Sequence, residues 1–201
     1  MRALSCDVVR PSDESAEGSH AVRVSFVCTA NRARSPFAAA LLRDKSTAFP
    51  IVVDSFGTLE REGGTALPQA VRAAREFGID LGAHRARSAV RGSLERKDLV
   101  IGFEPFHVAH SVVVGGVPTS RAFLVADLAR LLAADSAQPP RDGGEFREVV
   151  TRAHAARSAS AWTPPAVVAD PVGGTDRRFV ETYEEIERMI TIIAGRLFGA
   201  S

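Results

Sequence analysis

The sequence is poor in cysteine and has no long apolar stretch. Its 201 residues include only 2 cysteines, Cys6 and Cys28, which lie far apart. That distribution argues against a disulfide framework and against a cysteine-rich metal site. Nowhere do about 18 consecutive apolar residues occur, and the first residues lack the apolar core of a signal peptide. The sequence therefore predicts no membrane-spanning segment and a location in the reducing cytoplasm.

The chain also lacks an excess of charge of either sign. It has 25 basic and 24 acidic residues, for a formal net charge of +1. No large basic field is available to attract nucleic acid or an anionic membrane surface, and the sequence predicts neither as a partner. Lysine is scarce as well, because Lys45 and Lys97 are the only lysines and all other basic residues are arginines.

The composition is that of a soluble globular domain, with 45% hydrophobic and 24% charged residues. Residues 1–20 contain the small, polar run SDESAEGSH, which is typical of a segment that does not pack. We therefore expect a mobile N-terminal extension over 1–20 and one domain over 21–201.

Short apolar runs alternate with helical patterns along the domain. The runs are rich in β-branched and aromatic residues, which is typical of buried parallel strands. They cover residues 21–27, 50–55, 97–103 and 121–125. Helical spacing is found between the runs, with Pro36 near one helix start and Gly78 at a helix end. This order predicts an α/β domain with a four-stranded parallel sheet and helices on both faces.

Three more helices are predicted after the fourth strand, over 127–134, 145–159 and 175–199. A loop rich in proline and glycine separates the first two. In the last helix, five large apolar residues recur at helical spacing and are predicted core contacts. They are Phe179, Tyr183, Ile186, Ile190 and Ile193.

The segment VSFVCTANRARSP, residues 24–36, places Cys28 at the end of the first strand. In open α/β sheets, ligands bind beyond the carboxyl ends of the strands, and the first strand-to-helix turn often holds phosphate. Thr29 to Ala33 can curl their N–H groups around phosphate oxygens, and the helix opened by Ser35 and Pro36 adds a positive dipole end. Arg34 can add a bidentate contact that a lysine could not reproduce. Because the same donors stabilise a thiolate, the sequence predicts a nucleophilic cysteine in a phosphate-binding loop.

The same segment resembles the signature of low-molecular-weight protein tyrosine phosphatases, which is close to V-x-F-V-C-x-G-N-x-C-R-S-P. The likeness continues through four later segments in the family's order. They are VVDSFGT (52–58), GIDLGAHRARS (78–88), DLVIGFE (98–104) and ADP (169–171). The resemblance extends from about residue 21 to the end.

The resemblance implies roles for individual residues. Cys28 would attack phosphorus, Arg34 would bind the phosphoryl oxygens, and Asp170 would protonate the leaving oxygen. The phosphoryl group would be held by the loop residues Thr29, Ala30, Asn31, Arg32, Ala33, Arg34 and Ser35. Ser35 would also hydrogen-bond the sulfur, and together with Asn31, Ser55 and His84 it would shape the loop. No metal or other cofactor is implied.

Several positions depart from the family pattern. Ala30 replaces the loop glycine, so the position either tolerates a Cβ or the loop is reshaped. Ala33 replaces a second loop cysteine, so Cys28 lacks a local partner against over-oxidation. Val172 replaces the aromatic residue that usually follows Asp-Pro, so we expect a substrate slot that is either wider or more aliphatic. A loop-helix segment over about 135–165, including Trp162, is predicted to be an insertion.

The sequence thus predicts a phosphomonoesterase that acts on protein phosphotyrosine through a phosphocysteine intermediate. Bacterial members of the family often oppose tyrosine kinases of polysaccharide export, which suggests such a kinase as a partner by analogy. Two alternatives remain open. One is a thiol-dependent arsenate reductase, and the other is a protein that binds phosphate or phosphoproteins on the same scaffold without turnover. The oligomeric state is not predicted.

Overall fold

The computed structural model describes residues 21–46, 50–59, 62–159 and 166–200. The predicted N-terminal extension, Cys6 and Trp162 lie outside these ranges. The extension and the insertion over about 135–165 stay predictions.

The prediction of a four-stranded parallel sheet with helices on both faces is confirmed. The strands are β1 (Val22–Cys28), β2 (Ile51–Gly57), β3 (Leu99–Gly102) and β4 (Ala122–Leu124). The sheet has the order β2-β1-β3-β4, and all neighbouring strands are parallel. Both ends of each strand lie within two residues of the ends of the apolar run that predicted it.

The described residues form six α-helices around the sheet. They are α1 (Arg34–Lys45), α2 (Pro68–Glu76), α3 (Pro105–Val113), α4 (Val125–Ala134), α5 (Gly143–Ala159) and α6 (Asp176–Phe198). Among the described residues, none of the helices is both long and apolar enough to cross a membrane.

Alternation along β1 divides the core into two layers, because successive side chains of a strand point to opposite faces. Val24 and Phe26 pack into the larger layer, which includes apolar residues of α1, α4 and α6. Val27 belongs to the smaller layer, which packs against α3. All five core contacts predicted on α6 are buried at 1% exposure or less.

The strand order fixes where a ligand site can form. From β1 the chain crosses to β2 on one side, and β3 lies on the other side of β1. The carboxyl end of β1 is therefore the point from which the chain connections run to opposite sides of the sheet. At such a point α/β sheets leave a crevice. Cys28 is the last residue of β1, and α1 begins six residues later at Arg34.

Candidate active site

Cys28 lies at the carboxyl end of the central strand, beside Gly57 of the neighbouring strand. The side chain is buried, and its Sγ lies 2.9 Å from the Oγ of Ser35 in the first turn of α1. A hydroxyl at that distance can donate a hydrogen bond to a thiolate. The strand end and the helix start thus bring the predicted sulfur and hydroxyl together.

The loop from Thr29 to Ala33 binds the rest of the protein through its carbonyl oxygens. Thr29 O accepts a hydrogen bond from Leu59 N at 3.0 Å, and Arg32 O accepts one from Leu67 N at 3.0 Å. Ala33 O accepts a hydrogen bond from the Tyr183 hydroxyl at 3.1 Å. The carbonyls are therefore fixed to the outside of the loop.

The backbone N–H groups of the same segment remain available to a ligand. From Thr29 to Ser35, none of them donates to an acceptor within the described residues. No side chain caps the start of α1, and its first turn holds no acidic residue. A curved run of free N–H groups at a helix N-terminus is a binding site for oxyanions such as phosphate.

Asn31 gives the loop its shape. It is the one non-glycine residue with positive φ in the described ranges, at 52°, a conformation that asparagine adopts more easily than most residues. Its Nδ2 donates to the hydroxyls of Ser35 and Ser55, each at 2.8 Å. Its Oδ1 accepts a hydrogen bond from the backbone of Arg87 at 2.9 Å. The buried amide therefore uses donor and acceptor groups to tie the loop to α1, β2 and the segment after α2.

His84 supports Asn31 from the outer side. Its Nε2 lies 2.7 Å from the backbone oxygen of Asn31, so the ring donates from that nitrogen. The pKa of His84 is lowered, chiefly by burial, although the hydrogen bond to Asn31 opposes the shift. The ring is thus positioned beside the loop and not beside the sulfur.

Gly57 lets two stretches of backbone approach closely. A Cβ at this position would lie 2.9 Å from Thr29 O and 3.0 Å from both Ala30 C and Asn31 N. These atoms belong to the backbone of the loop and cannot rotate away. Any side chain at residue 57 would therefore displace the loop.

Arg34 is almost fully buried, at 1% exposure, and is held between two carboxylates. Its Nη1 donates to Glu104 Oε1 and, at 2.9 Å, to the backbone oxygen of Val168. Its Nη2 lies 2.7 Å from Asp170 Oδ2. Because its donors are bound on two sides, the guanidinium is fixed in position beside the loop.

Asp170 closes one side of a small hollow above Cys28. The hollow has a volume of about 100 Å³, and Arg34 also lines it. Its other walls are aliphatic or cationic, formed by Ala30, Arg32, Ala33, Leu67 and Val172. A hollow of this size fits a phosphoryl group, with the rest of a substrate left at the mouth. No group of three or more His, Cys, Asp or Glu side chains in the described ranges could hold a metal ion.

His107 orients the side chain of Thr29. Its Nδ1 accepts hydrogen bonds from the backbone N–H groups of Phe103 and Glu104, at 3.3 and 3.1 Å. The proton of the neutral ring is thereby placed on Nε2, which lies 3.0 Å from Thr29 Oγ1. Burial, and then the charge of Arg34, lower the pKa of His107 to about 4.

Two of the departures from the family pattern, Ala30 in the loop and Val172 after the Asp-Pro pair, can be located in the structure. Ala30 does not have the positive φ that would require glycine, because within the described chain Asn31 alone among non-glycine residues has one. Val172 is exposed and lines the hollow together with Leu67, so the substrate slot has aliphatic walls.

Sequence reasoning missed Glu104, His107 and Gly57. Glu104 is the second residue after β3, and a carboxylate just after a strand at the same edge as Cys28 was a usable signal. His107 and Gly57 act through contacts between segments far apart in the chain, and their local sequence carries no sign of them.

Three comparisons with known proteins bear on this site. The sequence profile of the low molecular weight phosphotyrosine protein phosphatase family matches residues 23–162. A low molecular weight protein-tyrosine-phosphatase of Streptomyces coelicolor is 37% identical over 93 residues, which cover 43% of this chain and 55% of that protein. The chain thus spans about half the length of the curated relatives it matches.

Solved structures resemble the chain over most of its length. The low molecular weight protein tyrosine phosphatase of T. tengcongensis is 25% identical, with a TM-score of 0.66, and the match covers 88% of this chain and 100% of that one. The YwlE arginine phosphatase of Geobacillus stearothermophilus is 25% identical, with a TM-score of 0.61, covering 86% and 90% of the two chains.

Proposed function

Since this chain belongs to the low molecular weight phosphotyrosine protein phosphatase family, we propose that it hydrolyses phosphate monoesters, with protein phosphotyrosine as substrate, through a phosphocysteine intermediate. One observation carries the proposal. The Cys28 sulfur lies at the base of a loop whose N–H groups have no acceptor among the described residues, with Arg34 and Asp170 beside it.

In the first step the Cys28 thiolate attacks phosphorus, and the bond from phosphorus to the leaving oxygen breaks. The free N–H groups of the loop and the guanidinium of Arg34 stabilise the charge on the phosphoryl oxygens. Asp170, carrying a proton, gives it to the leaving oxygen. The Ser35 hydroxyl stabilises the sulfur at 2.9 Å.

In the second step water attacks the phosphocysteine. Asp170, now ionised, accepts a proton from the water, and the sulfur leaves as a thiolate that Ser35 stabilises. The ion pair between Asp170 and Arg34 places the acid next to the phosphoryl-binding group. A phosphoryl group that binds Arg34 takes the place of part of this carboxylate contact.

The walls of the hollow favour phosphotyrosine over phosphoarginine. Arg32 lines the hollow, and its Nε donates to Thr65 O at 2.7 Å, which holds the side chain beside the loop. A guanidinium at this place repels the cationic guanidino group of phosphoarginine. The aliphatic faces of Leu67 and Val172 suit an aromatic ring.

The test is a substrate panel of phosphotyrosine, phosphoserine and phosphoarginine peptides, assayed with the native protein and with Cys28→Ser. We expect the phosphotyrosine peptide to be turned over fastest and Cys28→Ser to lower kcat by at least about 10⁴-fold. Arg32→Ala, a change outside the bond-breaking groups, should raise the relative rate on phosphoarginine. Full activity in Cys28→Ser would refute the mechanism, whereas phosphate binding without turnover of any substrate would identify a binding protein.

The same Cys28→Ser protein can identify the physiological partner. A protein that keeps the loop but loses the nucleophile retains its phosphoprotein without cleaving it. Recovery of a tyrosine kinase of polysaccharide export would support the partner that the family resemblance suggests.

A further inference from the structure

A second cavity lies beside the catalytic loop, and none of the described residues lines both this cavity and the hollow above Cys28. It has a volume of about 360 Å³. We call it the arginine-lined cavity and define it by its charged and ionisable residues. They are Arg43, Asp54, Asp80, His84, Arg85 and Arg87.

The guanidinium groups of Arg43, Arg85 and Arg87 are not neutralised. Across the described ranges none of the three forms an ion pair, and their side chains donate to backbone oxygens instead. Arg43 Nη1 donates to Val53 O at 2.8 Å, and Arg85 Nη1 donates to His84 O at 2.8 Å. Arg87 lies over the ring of Phe56, with its guanidinium carbon 4.6 Å from the ring centroid. Three positive charges therefore share one concave surface.

The two carboxylates of the cavity do not balance these charges. Asp54 is bound by the Ser25 hydroxyl and by Lys97 Nζ, the latter at 2.5 Å. Asp80 Oδ1 accepts a hydrogen bond from the backbone of Gly82 at 2.8 Å. Since Lys97 already pairs with Asp54, the cavity and its surroundings keep a positive excess.

The charges of the cavity also act on its own ionisable groups. Burial lowers the pKa of Arg43, the charge of Asp54 opposes this shift, and the charge of Arg87 adds a smaller lowering. The pKa of His84 is lowered by burial, and the charges of Arg87, Arg43 and Arg85 add to that effect. An anion in the cavity would relieve the repulsion among these groups.

We propose that the arginine-lined cavity binds a small phosphate-bearing dianion, either inorganic phosphate or the phosphate group of a phosphorylated metabolite. Its volume lies within the range of about 300 to 1,000 Å³ that is usual for small-ligand sites. Guanidinium groups suit phosphate, because they offer paired donors that match its oxygens. This site is separate from the one that performs the proposed hydrolysis.

The cavity is connected to the catalytic loop through Asn31. His84, a cavity residue, donates to Asn31 O, and the backbone of Arg87 donates to Asn31 Oδ1. Ser55, which also lines the cavity, accepts from Asn31 Nδ2. A bound dianion is therefore in contact with groups that hold the loop in place.

The experiment is equilibrium dialysis of the full chain against labelled inorganic phosphate. We expect two phosphates per native chain, one in the hollow and one in the cavity. Arg34→Ala should lose the first and keep the second. Arg43→Gln/Arg85→Gln should keep the first and weaken the second by at least about tenfold. Arg141→Gln, which changes an exposed arginine on the far segment before α5, should bind two.

Several results would overturn the proposal. The first is a native chain that binds one phosphate, which Arg43→Gln/Arg85→Gln still binds. The second is a double variant that binds a second phosphate as tightly as the native chain does. Either result would mean that the cavity holds no phosphate site. Circular dichroism checks folding, and Arg85→Gln alone serves if the double variant unfolds. Loss of hydrolysis with the second phosphate still bound would count against the proposed activity only.

Competition in the Arg34→Ala protein identifies the source of the phosphate group. Displacement of the label by glycerol 3-phosphate at lower concentration than by unlabelled phosphate indicates a metabolite, and the reverse order indicates inorganic phosphate. Both support the site. Displacement by a glutamate-rich peptide at lower concentration than by either would overturn the proposal, because the cavity would then recognise an acidic protein segment.

Discussion

The catalytic hollow and the arginine-lined cavity both contain arginine, but the arginine of the hollow is paired with carboxylates and two arginines of the cavity are not. In the hollow, Arg34 is buried and paired with Glu104 and Asp170. In the cavity, Arg43 and Arg85 donate only to backbone oxygens within the described chain. A paired and buried guanidinium is fixed in one geometry, whereas an unpaired one at a concave surface supplies mainly attraction.

This difference means that the hollow positions a phosphoryl group for reaction, whereas the cavity mainly attracts an anion. A phosphoryl group that enters the hollow meets donors that already have their final places, and it must replace part of the contact between Arg34 and Asp170. Such an arrangement costs little reorganisation at the moment of reaction, which suits catalysis. Among the described residues that line it, the cavity has no cysteine, so it suits binding.

Replacement of Asp170 should have the largest effect on the function of the hollow. We expect Asp170→Asn to lower kcat by about 10²-fold or more for a phosphate ester with a poor leaving group, because the leaving oxygen loses its proton donor. Esters with good leaving groups should be affected much less. The measurement is kcat for a series of aryl phosphates of increasing leaving-group pKa.

Glu104→Gln is the matched control for that series. Glu104 also binds Arg34, but it does not line the hollow. The variant should therefore show no added dependence on the leaving group. Equal slopes for Asp170→Asn and the native protein would contradict the assigned acid.

A side chain at residue 57 should damage the geometry of the hollow without touching its charges. Gly57→Ala places a Cβ 2.9 Å from Thr29 O, so we expect the loop to move. The expected result is a fall in kcat of about tenfold or more and a loss of stability of about 1–3 kcal/mol. Kinetics and urea unfolding measure the two effects.

Gly64→Ala provides the comparison for Gly57→Ala. A Cβ at residue 64 would meet only side-chain atoms, at 3.6 Å or more. Its kcat should stay close to that of the native protein. A native rate in Gly57→Ala would show that the loop tolerates the displacement.

Acid should lower the free energy of unfolding through His107, which lies beside Thr29 of the catalytic loop. This is the smallest of the three expected effects, because it is absent at neutral pH. The pKa of His107 in the folded protein is about 4, below its value of about 6.5 when unfolded. Between these values the unfolded chain binds more protons, so stability contributed by the neutral ring is complete above about pH 6.5. It falls as the pH drops towards 4, by up to about 3 kcal/mol.

His107→Gln should reduce the slope of unfolding free energy against pH in that window. Thr29→Val removes the partner of His107 Nε2 but keeps the titrating ring, and it should retain the native slope. The measurement is urea unfolding at intervals between pH 4 and 7. An unchanged slope in His107→Gln would assign the acid sensitivity to other groups.

Much of the fold could be predicted from local patterns. The apolar runs identified all four strands, and the spacing on α6 identified its buried residues, including Tyr183. These features depend on side-chain period and local turn residues, which the sequence carries directly. Local patterns do not predict the hydrogen bond that the Tyr183 hydroxyl donates to Ala33 O, because the two residues are 150 positions apart in the chain.

The candidate site divides in the same way. Cys28, the loop, Arg34 and Ser35 are contiguous, so their arrangement follows from one strand end and one helix start. Glu104, His107 and Gly57 reach the loop from other elements, and their roles depend on distances that no local pattern encodes. The arginine-lined cavity likewise gathers residues from α1, β2 and the segment after α2.

Local sequence patterns specify the alternation of strands and helices and place a cysteine, a loop and an arginine within one short segment. Which carboxylates bind Arg34, which arginines donate to backbone oxygens and how closely Gly57 lets two backbones approach are established only when the chain folds. The physical reason is that hydrophobic period and turn chemistry act over a few residues, whereas charge pairing and close packing act between elements that meet only when the chain is folded.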